Sequence, residues 1–287
     1  MPRCTTLKTT ETILAAHRIL EAEHPMTLRQ LFYRLVSALA IENTRPAYQR
    51  LSRLITKARE NEIINPEWLV DRSKPEYHPN AWTNTAEYLE TVAKSYRRDY
   101  WEDQSYYVEL WVEKDSLVGS IEAIVDGLGI SLRAHRGYGS TTKKMEIARL
   151  FDSIKKPVKI FYIGDHDPSG VDIERDLLAK ITSYMRTANV PSITRLGIHK
   201  TDITDFKLPP LRIKASDPRA ARFAKIHGSV VVEADALPPV ELRRRIKAAV
   251  EGLIDRELWD HKILVELAEF NSISQFAKSF KVRQVSQ

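Results

Sequence analysis

Two acidic runs and one tyrosine supply the residue types that could do chemistry. WVEKDS sets Glu113 and Lys114 directly after an apolar run, and YIGDHDPSG sets Asp165 and Asp167 in a turn with Gly164 before them and Gly170 after. Residues i and i+2 of an extended turn can aim both carboxylates to one side. Three clustered carboxylates with no thiol are hard oxygen donors, better suited to Mg2+ than to zinc. Each feature also has a plainer reading. D-x-D-P-x-G is good turn chemistry, an Asx cap feeding the next helix, and Glu113–Lys114 alone could be a solvated strand end. Tyr33 closes RQLFY at 29–33, one turn after Arg29. A phenol flanked by arginine stands where a phosphate-attacking group would. A half-buried tyrosine flanking a core would stand there too.

Residues 45–59 contain Arg45, Arg50, Arg53, Lys57 and Arg59 and no acid. Arg50, Arg53 and Lys57 share one helical face, opposite Leu51, Leu54 and Ile55. A solvated helix face carries mixed charge as a rule. A wholly basic one argues for contact with DNA phosphates, and Arg34 adds to it. The remaining polar candidates are weaker. His166 lies between the two acids as a turn residue, and His135 and His199 read as structural. Glu233 and Asp235 fit accessory acids or a strand-end turn equally well. Asp172 and Glu174 are remote candidates. Lys143–Lys144 and Arg243–Arg244–Arg245 read as solvated surface.

The elements that must position these groups change character near residue 104. Before it the apolar spacing is helical, with helices expected at 8–23, 27–40, 46–62 and 82–98. Thr27 suits a helix start, and Pro46 suits a first turn. IINPEWLVDRSKPEYHPN, from 63, reads as a short strand or wing and then loop. Three short helices and a wing are the outline of a winged helix-turn-helix. After residue 104, strands at 106–112, 130–136, 157–163 and 193–198 alternate with helices at 116–129, 142–154 and 170–185. That order predicts a mostly parallel sheet with right-handed crossovers. Sites in such sheets collect at the carboxyl ends of strands, where both acidic runs fall. Residues 207–227 read as loop, and two helices are expected at 239–254 and 256–269. The organisation expected is an all-α domain at 1–104 and an α/β domain with a helical extension at 105–287.

Composition narrows the class. The chain has 287 residues, with 44 Lys+Arg against 38 Asp+Glu. This net charge of +6 does not by itself decide a partner. The single Cys4 excludes a disulfide scaffold and a Cys-based zinc ribbon, and fits a reducing compartment. The N-terminus is too polar for a signal peptide, and no stretch is long and apolar enough to span a membrane. A cytoplasmic protein is expected, associated with the nucleoid if it is bacterial or phage-encoded.

A Glu after the first strand and a D-x-D two strands later resembles the Toprim domain of topoisomerases, primases and some nucleases. The resemblance covers about residues 105–200. Within that group, one Cys argues against a zinc-bearing primase, VEKDS differs from the EGDSA-like motif of type IIA topoisomerases, and the phosphate loop of overcoming-lysogenization nucleases is missing. VEK at 112–114 and DHDPSG at 165–170 most resemble the A subunit of topoisomerase VI and the related meiotic double-strand-break proteins. Ser169 stands where that family usually has Tyr. The family places a winged helix before the Toprim domain, and its nucleophile is the last Tyr of R-D-I-[YF]-Y. RQLFY puts Tyr33 on that position, with Gln30 in place of the usual Asp.

The resemblance implies Mg2+-dependent cleavage of double-stranded DNA by transesterification. Tyr33 would attack, Glu113, Asp165 and Asp167 would hold the metal, and Arg29 and Lys114 would add positive charge. It also implies a homodimer in which the Tyr of one chain meets the acids of the other. Strand passage would need a separate ATPase subunit of the GHKL type, because this chain has no candidate for one. The chain would then be the cleavage subunit of a split topoisomerase or a compact stand-alone relative. Two other readings stay open: a hydrolytic Toprim nuclease using metal-bound water, and a non-catalytic DNA-binding protein that retains the fold.

Overall fold

The computed structural model describes residues 7–70, 79–135, 140–213 and 217–280. The chain forms two compact units interleaved in sequence. One comprises residues 1–74 and 107–252, the other residues 75–106 and 253–287.

The first unit begins with three helices: α1 (Leu7–Glu23), α2 (Leu28–Ser37) and α3 (Arg45–Glu60). A reciprocal cap starts α2. The Gln30 amide donates to Thr27 Oγ1, and the Thr27 amide donates to Gln30 Oε1 at 2.8 Å. The helix ends at Ser37, short of residue 40, and Leu39 takes a left-handed φ of 57°. Thr44 caps α3, which carries Pro46 in its first turn and buries Ala47, Leu51, Ile55 and Ala58 along one stripe. Of the stretch from 63 onward, the described part is a single 3-10 turn at Pro66–Trp68 and a parallel bridge between Met26 and Leu69. The rest of the expected wing, 71–78, lies outside the described residues.

The same unit holds a four-stranded, wholly parallel sheet. Its strands are β1 (Tyr107–Val112), β2 (Ser131–Ala134), β3 (Val158–Ile163) and β4 (Ser192–Gly197), in the order β2-β1-β3-β4. The crossovers are α5 (Val118–Gly127), α6 (Thr141–Ser153) and α7 (Pro168–Tyr184). The α/β architecture read from the sequence is therefore present. The two central strands are almost continuously buried, as a sheet covered on both faces requires. Trp111, Ile160 and Tyr162 pack with Phe151 of α6 and with Ile173, Leu177 and Ile181 of α7. Each such side chain, fully buried, contributes about 1.5–3 kcal/mol.

Beyond β4 the chain runs through α8 (Lys200–Asp205), β5 (Leu211–Arg212), α9 (Ala220–His227), β6 (Val230–Val231) and α10 (Pro239–Glu251). Residues 207–227 are thus not all loop. Strand β5 pairs antiparallel with β6, and α9 fills the space between, stopped by Gly228 at φ 90°.

The second unit packs α4 (Thr85–Ser95) against α11 (Arg256–Ser279). Helix α11 runs ten residues past the expected 269. The Trp259 ring packs tilted against Tyr100 and edge-on against Trp101, and Tyr96 Oη donates to Glu269. Gln104 closes the unit, its side chain bonding the Asp255 amide and carbonyl. Among the described residues, no helix is long and apolar enough to cross a membrane.

Candidate functional site

The sheet order explains why two acidic runs 52 residues apart can meet. The chain leaves β1 toward β2, then crosses back to β3, so β1 and β3 are neighbours at the switch point where ligands bind in open α/β sheets. Their register sets Val112 against Ile163, and the Glu113 amide donates to the Ile163 carbonyl at 2.9 Å. The next residues are Glu113 on one strand and the Gly164–Asp165 turn on the other. The Asp165 amide donates to Glu113 Oε2 at 2.8 Å. Two glycines allow this approach. A Cβ at Gly164 would lie 2.9 Å from Glu113 Oε2, and one at Gly170 would lie 2.5 Å from the Asp165 carbonyl oxygen.

Asp167 is the N-cap of α7 and accepts from the Gly170 amide at 2.6 Å, the Asx-cap reading of the turn. Arg195 of β4 clamps the turn from behind. Its Nη1 donates to the carbonyls of Gly164 and Asp165 at 3.0 and 3.3 Å, Nη2 to that of Gly170 at 3.2 Å, and Nε to Glu174 at 2.7 Å. The sequence signal for it was faint, a lone arginine inside the strand ITRLGI.

A third segment completes the cluster. His166 and Val232 bridge through both backbone hydrogen bonds, which brings the turn at 233–236 to the acids. The Ala234 amide donates to Asp165 Oδ1 at 2.8 Å. Lys114 Nζ lies 2.9 Å from Asp165, 3.1 Å from Glu233 and 3.5 Å from Asp235. Arg29 of α2 pairs with the same Glu233 oxygen through Nε at 2.9 Å and also through Nη2, and its Nε lies 3.7 Å from Asp235. Asp235 is 0% exposed and accepts from the Ser116 hydroxyl at 2.9 Å. Tyr33 is 5% exposed, and the Arg29 guanidinium stands 5.8 Å from its ring centroid. The structure thus gathers Tyr33, Arg29, Glu113, Lys114 and Asp165, and adds Glu233 and Asp235.

The charges in the cluster do not balance. Arg29 and Lys114 pair with three carboxylates, those of Asp165, Glu233 and Asp235, and a fourth, Glu113, accepts from the Asp165 amide. Burial, and then the neighbouring charge of Asp165, pushes the Glu113 carboxyl up to about 7. Burial likewise raises Asp165. Glu233 is held low: burial would raise it, but Lys114 and Arg29 outweigh that. Burial, and then Glu233, pushes the Tyr33 phenol up to about 12, against the opposing pull of Arg29. Hard oxygen donors of this kind suit a divalent cation in chemistry. Among the described residues, however, no three His, Cys, Asp or Glu side chains are grouped to hold a metal ion. Glu113 and Asp165 form a two-carboxylate set with Lys114 among its oxygens.

The basic residues divide. Arg45, Arg50, Arg53 and Lys57 are exposed on α3 and form no ion pair among the described residues, although Arg53 Nε donates to the Gln49 carbonyl at 3.4 Å. Arg34 is held by both oxygens of Glu23 at 2.6–3.1 Å. A cleft of about 690 Å³ opens beside Arg29, lined by Ser52, Thr56 and Arg59 of α3 and by Asp115 and Ser116. The Arg243–Arg245 triplet is not simply solvated. Arg243 donates to the carbonyls of Glu23, His24, Pro25 and Ser120, and Arg245 pairs with Asp202 and Glu241. Lys144 is also buried, 3.0 Å from Asp176. His166 is buried with its ring against Phe223 and His227, and burial lowers it to about 4.

No protein-family model matches the chain, and no curated protein matches it.

Proposed function

We propose that the protein cleaves double-stranded DNA by transesterification through Tyr33, as a winged-helix and Toprim protein of the topoisomerase VI A-subunit kind. The observation that supports this reading best is the unbroken polar path from the tyrosine to the acids. Arg29 stands over the Tyr33 ring and pairs with Glu233, Glu233 shares one oxygen with Lys114, and Lys114 pairs with Asp165. A backbone phosphate entering beside α2 competes with Glu233 for Arg29 and Lys114. That removes the anion that helps to raise the phenol and sets two cations around the phosphorus.

The Tyr33 oxygen then attacks phosphorus in line. The O–P bond to Tyr33 forms, the P–O3′ bond breaks, the phenol proton leaves to solvent or a nearby base, and a proton returns to the 3′ oxygen. The phosphotyrosine keeps a diester, so the step can reverse. Mg2+ held by Glu113 and Asp165, with Asp167 as the third acid, would supply charge stabilisation at the leaving oxygen. The exposed face of Arg45, Arg50, Arg53 and Lys57 would track the duplex backbone. Each site cuts one strand, so a double-strand break calls for two chains around a two-fold axis. Strand passage would further require a separate GHKL-type ATPase subunit.

One observation favours the hydrolytic alternative: Tyr33 is nearly buried and its phenol is pushed up, both unhelpful to a nucleophile. The two readings separate on supercoiled plasmid with Mg2+, run with and without protease. Transesterification gives cut DNA that enters the gel only after proteolysis, and Tyr33→Phe removes it. Hydrolysis gives protease-independent cutting that survives Tyr33→Phe and is lost in Asp165→Ala. A protein that only binds DNA cuts under neither condition.

A further inference from the structure

We propose that β5, α9 and β6 form a second DNA-contact element, whose cations Arg212, Arg222 and Lys225 hold the duplex beside the acid-bearing turn. The proposal rests on the reading of that turn as the place where DNA is cut. Residues 206–232 hold six Lys and Arg, at 207, 212, 214, 219, 222 and 225, against one acid, Asp217. Arg219 takes that acid, its Nε donating to Asp217 Oδ1 at 2.9 Å. Arg212, Arg222 and Lys225 are exposed and form no ion pair among the described residues. Helix α9 sorts its residues by face. Phe223 and His227, four residues apart, carry the inner one, their rings 5.3 and 5.7 Å from that of His166. Arg222 and Lys225, at i and i+3, share the outer one. A solvated face carries mixed charge as a rule, yet no acid occurs between 218 and 232.

Three anchors fix this basic segment to the turn. His166 and Val232 exchange both backbone hydrogen bonds, at 2.9 and 3.1 Å. The rings of Phe223 and His227 pack on His166, which lies between Asp165 and Asp167. Arg219 donates through Nη2 to the Ser169 hydroxyl at 2.9 Å, in the first turn of α7. The cations are therefore carried by the same structure as the acids. Acids repel the polyanion they are to act on, and cations fixed beside them offset that repulsion. Contacts of this kind to phosphates set the position of a duplex without reading its bases. Attachment to the cutting turn is what favours DNA over an acidic protein as the occupant.

Salt titration tests this. Arg212→Ala, Arg222→Ala and Lys225→Ala are combined in the full chain, and binding to a labelled duplex is followed by fluorescence anisotropy across salt. Each phosphate contact contributes about 0.9 to the slope of log K against log salt, so the slope falls by about 2–3. Joined to Arg50→Ala, Arg53→Ala and Lys57→Ala of α3, the two reductions add to about 5, because the two sets meet different phosphates. A charge-matched control combines Lys155→Ala, Lys180→Ala and Lys247→Ala, exposed positions of the same unit. It keeps the wild-type slope. Where the triple variant does not melt as a folded protein, Arg222→Ala alone serves and lowers the slope by about 1. An unchanged slope in the folded variant, or an equal fall in the control, would overturn the proposal and leave the cleavage reading standing. A variant that keeps its DNA slope but loses binding to polyglutamate would assign the face to an acidic protein, which overturns it too. A wild-type protein without salt-dependent DNA binding would overturn both.

Discussion

At the scale of single residues, the most telling group is Glu113. Its carboxyl is raised to about 7 by burial and by Asp165, so the folded protein binds a proton there that the unfolded chain, near the ordinary Glu value, has lost. Stability therefore falls as pH rises from about 4.5 to about 7, and the loss is complete above that window. The cost is on the order of 3 kcal/mol. Glu113→Gln removes it. Thermal melts across pH 4–8 should show the variant losing less stability than wild type over that interval and melting higher at pH 8. Mg2+ should raise the wild-type melting temperature at pH 8 and leave Glu113→Gln nearly unmoved. A wild-type melting temperature indifferent to Mg2+ would speak against a cation at these acids. Some of this site was legible from residue types alone. The three acids and Lys114 stand out by their place after apolar runs, while Arg29 and Tyr33 stand out only through the resemblance of RQLFY to a family motif. Gln30 looked only like a departure from a motif, because nothing in sequence pairs it with Ser120, 90 positions away.

Among the elements, two turns carry the site. The D-x-D turn works because Gly164 and Gly170 let backbone and carboxylate close to contact distance. Gly170→Ala forces a Cβ against the Asp165 carbonyl, and overpacking of this kind costs about 1–3 kcal/mol. Urea titration should show that loss with an unchanged m-value. A neutral Gly170→Ala would mean the turn relaxes without consequence. Helix α3 makes a separate prediction. If its exposed cations meet DNA phosphates, Arg50→Ala, Arg53→Ala and Lys57→Ala combined should reduce the slope of log K against log salt by about 2–3. An unchanged slope, measured by fluorescence anisotropy on a duplex, would place the interface elsewhere. Strands β1, β3 and β4 were readable from compact apolar runs, and α6 and α7 from helical spacing. Helix α9 was not, because Pro209, Pro210 and Pro218 mark the region as loop while Ala220–His227 supplies only two turns. The turn at 233–236 was placed by a two-residue bridge between His166 and Val232, too short to leave a pattern.

At the scale of the whole molecule, the balance of charge matters less than its placement. A net +6 conceals a basic face on α3 and an acidic cluster at the end of the sheet. Contact between α2 and the acid-bearing turns makes residues 1–74 and 107–252 one unit, while residues 75–106 and 253–287 close on each other through α4 and α11. Sequence pattern marks the change from helical to alternating segments near residue 104. It cannot mark which distant segments share a core, because that depends on partners such as Trp259 for Trp101 and Asp255 for Gln104. Under the proposed function, this unit joins DNA covalently to Tyr33. The most direct measurement is mass spectrometry of the tryptic peptide spanning residue 33 after incubation with plasmid and Mg2+ and nuclease digestion. Transesterification leaves a nucleotide linked through phosphate to Tyr33, absent from Tyr33→Phe and from Asp165→Asn. Cut plasmid with an unmodified Tyr33 peptide, or a nucleotide attached to another residue, would contradict it.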